Sequence, residues 1–105
     1  MSASFTNYEP SCAGQAQSLA IGVTAPSTVD SAYVEVGPKA SFVALTTAQA
    51  TITAAGGNAW TVTASWILPE ALRGVEYEIR IAVHRQGIGQ NEYERWWITP
   101  ATNPQ

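Results

Sequence analysis

His84 is the only histidine of this chain, Cys12 its only cysteine and Asp30 its only aspartate, the side chains best suited to acid–base, nucleophilic or metal chemistry. A zinc site gathers three or four convergent ligands. Here the candidates lie far apart in sequence, and no second histidine joins them. His84, Asp30 and any of several serines could nominally form a Ser-His-Asp set. No serine, however, sits in the sharp glycine-flanked turn that presents such a nucleophile. Gly87-Ile88-Gly89 has the glycines of a phosphate-cradling loop, but it precedes a strand pattern and no Lys-Ser/Thr follows. Glu76 and Glu78 share one face of an alternating segment, and a glycosidase pair needs a cleft around it. A solvated edge shared with Arg80 is the simpler reading. The expectation is a protein that is not an enzyme, with no metal and no cofactor.

Recognition is the better-supported chemistry. In Tyr93-Glu94-Arg95-Trp96-Trp97-Ile98-Thr99 two tryptophans are adjacent, and neighbours on a strand leave opposite faces. With Trp96 and Ile98 in the core, Trp97 stands outside beside Tyr93 and Arg95. Tyr, Trp and Arg dominate interaction hot spots. The alternative is that Trp97 lies flat on the sheet edge, stacked on Arg95 or Arg80, and stabilises rather than binds.

The elements that position these residues read as strands. Val75, Tyr77, Ile79, Ile81 and Val83 alternate with Glu76, Glu78, Arg80, Ala82 and His84, which predicts a strand with one buried and one wet face. Phe5 to Tyr8 reads as a short first strand stopped by Pro10. Leu19, Ile21 and Val23 mark a second, and Ser31 to Val36 a third with Tyr33 and Glu35 outward. Ser41 to Leu45 reads as a short edge strand and Ala50 to Ala54 as a fifth. The turn Ala55-Gly56-Gly57-Asn58 leads into a sixth strand whose inward set is Trp60, Val62, Ala64, Trp66 and Leu68. Pro69 to Leu72 allows one helical turn at most. Seven to eight short antiparallel strands separated by turn signals predict an all-β fold, a two-sheet sandwich. The division expected is an N-terminal arm with a short first strand (1–17), the sandwich (18–99) and a polar tail (100–105).

Leu72-x-Gly74-x-x-Tyr77, followed by Ile79, Ile81 and Val83, resembles the passage into the sixth conventional strand of fibronectin type III and related immunoglobulin-like domains. Ser31 to Pro38 is similar to their third strand and its turn, and Ala59 to Val62 to the strand before the corner. The resemblance implies a structural corner in which Tyr77 fills the core edge and its hydroxyl bonds backbone, Leu72 plugs beneath and Gly74 allows the bend. It also implies that the third, sixth and seventh conventional strands share a sheet. Their outer face then gathers Tyr33, Arg80, His84, Tyr93, Arg95 and Trp97 as candidate binding residues. The fold itself carries no activity with it.

Composition narrows the partners. Charged residues make up 12% of the chain, about half the usual ~25%, and the net charge is −3. Lys39 and four scattered arginines form no cluster of the kind that binds phosphates, so nucleic acid is not an expected partner. No run of residues is long and apolar enough for a bilayer span, so no membrane is expected either. A single cysteine allows no internal disulfide. The N-terminal residues show neither a basic nor an apolar leader, which suggests manufacture and use without that export route. These features fit a structural subunit binding other proteins of an assembly, as an oligomer or alone. The expectation is a bacteriophage virion accessory protein, a capsid decoration or tail subunit assembled in the host cytoplasm. The alternative is an adhesion or glycan-binding module of a larger bacterial surface protein.

Overall fold

The computed structural model describes residues 1–8 and 12–99, except the side chains of Thr6 and Asn7. Its strands are β1 (Ser2–Tyr8), β2 (Ala16–Thr24), β3 (Val29–Pro38), β4 (Thr46–Gln49), β5 (Thr51–Gly56), β6 (Ala59–Ile67), β7 (Tyr77–Arg85) and β8 (Glu92–Ile98). A single 3-10 turn, Glu70–Leu72, lies between β6 and β7. Two four-stranded sheets form, in the orders β1-β2-β6-β5 and β4-β3-β7-β8. Every pairing is antiparallel. The protein is an all-β two-sheet sandwich whose strand order is compatible with an immunoglobulin-like fold.

Period-two alternation drives the closure. Ile21 and Val23 of β2, Val62 of β6, Val34 and Val36 of β3, and Ile79, Ile81 and Val83 of β7 are all but fully buried between the sheets. Burying each such side chain contributes roughly 1.5–3 kcal/mol. On one side of the sandwich the core continues as a chain of rings. Trp96 lies 4.3 Å from Phe5, Phe5 lies 5.3 Å from Tyr8, and Tyr8 stacks on Trp66 at 6.3 Å.

The structure moves several boundaries. Val75, expected inside, is 41% exposed and precedes β7. Gly74 takes φ +68° and the Val75 amide donates to the Leu72 carbonyl, so a turn occupies the residues where alternation was read to begin. Ser41 to Leu45 is a turn and loop rather than an edge strand, with Ser41 at φ +53°. Pairing with β3 starts only at Thr46, opposite Val36. The next strand is Thr51–Gly56, and the Ala50 amide donates to the Ala32 carbonyl where the chain passes from one sheet to the other. β1 pairs with β2 from Ser2 to Tyr8, a longer strand than Phe5 to Tyr8, with a bulge between Phe5 and Asn7. Pro10 and the tail 100–105 lie outside the described residues.

At the corner, Leu72 and Tyr77 are buried as the resemblance implied. The Tyr77 hydroxyl differs. Among the described residues its partner is the Tyr8 hydroxyl at 2.6 Å rather than a backbone group, so the bond ties β7 of one sheet to β1 of the other. Burial pushes both phenols above their ordinary pKa, so the pair stays neutral at any physiological pH. Tyr77→Phe should cost about 1–2 kcal/mol by leaving the half-buried Tyr8 hydroxyl short of a partner. Urea denaturation of Y77F, Y8F and the double variant checks this, and the two single losses should not add.

Candidate functional site

Charged residues divide unequally between the sheets. β1, β2, β5 and β6 contain no Asp, Glu, Lys, Arg or His, whereas β3, β7 and β8 contain nine between them (Asp30, Glu35, Glu78, Arg80, His84, Arg85, Glu92, Glu94 and Arg95). Register places the outward residues of the second sheet in rows. Gly37, Glu78 and Trp97 form one row, and Glu35, Arg80 and Arg95 the next. Tyr33, Ala82 and Tyr93 form a third, and Ser31 and His84 a fourth.

Tyr33, Arg80, Tyr93 and Arg95 come together, with Glu35 and Glu94, around a shallow concavity of about 650 Å³. Ala82 lies between the two phenols in its row and is buried. Hydrogen bonding to Tyr93, more than burial, raises the Tyr33 hydroxyl above its ordinary pKa. Trp97 borders this region, 56% exposed, and Tyr93 is 54% exposed. His84 is not part of the group. It lies further along β7, where its Nδ1 sits 2.6 Å from Asp30 Oδ1.

Trp97 is both held and available. Its indole N–H donates to Glu78 Oε1 at 3.1 Å, Lys39 Nζ sits 5.4 Å from the ring centre, and the Arg95 guanidinium lies at 5.9 Å. Arg80, the alternative stacking partner read from sequence, instead packs its guanidinium 4.1 Å from the centre of the Phe42 ring. It also bonds Glu78 Oε2 through Nε at 3.0 Å and through a terminal nitrogen at 2.8 Å. Glu78, read from alternation as a wet-face residue, is only 3% exposed because these neighbours cover it. A buried carboxylate is tolerable only when paired and hydrogen-bonded, and here Arg80 and Trp97 satisfy one oxygen each. Arg80 is therefore neutralised in place. Arg95 forms no ion pair among the described residues, and its guanidinium lies beside the Trp97 ring.

Sequence reasoning did not include Glu78, Lys39 or Phe42 among the site residues. The signal for Phe42 was Gly37. A Cβ there would lie 2.2 Å from the Val43 carbonyl oxygen, so glycine is what lets the 39–45 loop fold back over the sheet. Gly37→Ala should displace that loop, lift Phe42 from Arg80 and destabilise the protein by about 1–3 kcal/mol. Thermal or urea unfolding gives the loss, and the amide shifts of residues 39–45 locate it.

At the far end of β7, Arg85 hydrogen-bonds Glu92 of β8 and holds its carboxyl below the usual carboxylate range, while Arg85 also donates to Ser27 Oγ at 3.0 Å. A depressed folded-state pKa stabilises the protein above the unfolded value. That contribution is lost as pH falls through the folded value. Stability measured between about pH 6 and pH 2 should therefore fall more steeply on the acid side in the wild type than in Glu92→Gln.

No three or more His, Cys, Asp or Glu side chains gather as a metal-binding group among the described residues. What fold and site define is a β-sandwich with one charged, aromatic-bearing face. In comparisons with known proteins no family model, curated protein or solved structure matches this chain.

Proposed function

We propose that this chain is a non-enzymatic interaction protein that binds another protein through the outer face of the β4-β3-β7-β8 sheet. The observation that carries this reading is that Tyr93 and Arg95 line one concavity and Trp97 stands beside Arg95, both rings being more than half exposed. Exposed aromatic surface beside a cation is what interaction hot spots are made of. Because Glu78 anchors the indole, little ordering of Trp97 remains to oppose binding. The biological setting we propose is a structural assembly, with the chain as a capsid decoration or tail accessory subunit of a bacteriophage virion. Its low charge and small polar side chains suit a subunit docked on a lattice.

One observation favours a second reading. Trp97 and Tyr93 stand on the same face of one strand four residues apart, which places their rings roughly 13 Å from each other. That spacing suits stacking by two separate rings of an oligosaccharide in an adhesion module. Trp97→Ala and Arg95→Ala should each weaken binding to a structural protein of the assembly by roughly 30-fold, the 2 kcal/mol expected of a hot spot. Calorimetric titration reads this, and an unchanged urea midpoint shows that the fold is intact. Trp96→Ala is the contrast, since it should lose about 3–5 kcal/mol of stability. Trp97-dependent binding of oligosaccharides, with none to the assembly's proteins, would decide for the second reading.

A further inference from the structure

From Ala40 to Pro69 the chain has no Asp, Glu, Lys, Arg or His, and no proline between these two ends. This run supplies β4, β5 and β6 and ends both sheets on the same side of the sandwich, where β4 and β5 are joined through Ala50. An open sheet edge presents unpaired N–H and C=O groups. Proteins guard such edges with charges, proline, bulges or short strands. β8 carries Glu92, Glu94 and Arg95, β1 is bulged between Phe5 and Asn7, and β4 is four residues long. β5 lacks charge and proline, its residues other than Ile52 are exposed, and its register shift with β6, between Ala54 and Gly56, falls at the hairpin end and leaves Thr51 to Ala54 regular. Val43 and Leu45, 63% and 44% exposed, precede β4 in the same neutral run.

We infer that two copies of this chain join edge to edge through β5, fusing their β1-β2-β6-β5 sheets into one continuous sheet. The second copy is the occupant this edge fits. A strand related to itself by a two-fold axis is antiparallel, as an isologous interface requires. Each copy carries a net charge of −3, so two copies repel except where their charges are absent, and β5 is such a place. Threonine set against threonine across the seam is a favourable cross-strand pair. The join leaves the Trp97 face of both copies open, so the pair offers two binding faces and gains from simultaneous engagement.

Sedimentation of the full chain from about 1 μM to about 1 mM, the range of weak to moderate association, tests the seam. The mass should rise twofold from the 11.2 kDa of one chain. Thr53→Lys sets like charges across the two-fold axis and should hold the monomer mass throughout with an unchanged urea midpoint, while Trp97→Ala should associate as the wild type does. Amide exchange over 51–55 should slow at the higher concentration and that over 92–98 should not. A wild type that stays monomeric overturns the inference. So does association that survives Thr53→Lys, depends on Trp97, or protects β8 instead of β5.

Discussion

The structure depends on two inward-facing rows of β-branched side chains closing on each other. Ile79, Ile81 and Val83 from one sheet meet Ile21, Val23 and Val62 from the other, and none of them keeps contact with water. Sandwich packing of this kind is non-directional, so it does not by itself choose how the sheets align. The Tyr8–Tyr77 hydroxyl bond supplies a direction. It is a short polar contact between strands of different sheets, part-buried, with the Tyr77 side chain fully enclosed. The rings of Trp96, Phe5, Tyr8 and Trp66 pack in series beside it, so apolar closure and polar registration occur in one place.

That closure makes the molecule two-faced. The strands of one sheet carry no charged side chain, and the face they turn to solvent is built largely of Ser, Thr, Ala and Gly. Those of the other carry nine charged or histidine side chains, six of them in ion pairs or hydrogen bonds with one another, two pairs across strands and one along β7. Charge on the strands is therefore concentrated on one side of the sandwich. A sandwich with charges scattered over both sheets would have no such difference between its surfaces.

Within the charged face, Glu78 is the residue that makes an aromatic surface into a preformed one. Its two oxygens hold Arg80 and Trp97 apart at fixed positions, and Phe42 covers Arg80 from above. The cost of desolvating the carboxylate is offset by these charge-assisted bonds. The geometry leaves Arg95 and the outer face of the indole exposed, whereas Arg80 is committed internally. Arginines of the same type on neighbouring strands thus have different roles, and only their surroundings distinguish them.

Much of this was legible in the sequence. Two-residue alternation gave the strands and the faces of Tyr33, Arg80, Tyr93, Arg95, Trp96 and Trp97, because side-chain direction on a strand follows from backbone geometry alone. The Leu72–Gly74–Tyr77 spacing marked the corner through its resemblance to immunoglobulin-like domains. Alternation misjudged Glu78, since burial on an outer face depends on which side chains the neighbouring strands bring over it. It misjudged Val75 and the 41–45 segment, where turn hydrogen bonds and a close approach at Gly37 override the pattern. Local periodicity, in short, determined the strands and which way each residue points. Only the tertiary structure decided which residues meet, that Tyr77 bonds Tyr8, that Phe42 rather than Trp97 covers Arg80, and that His84 stands apart with Asp30. Those contacts join positions distant in the chain, and a pattern with a period of two residues carries no information about them.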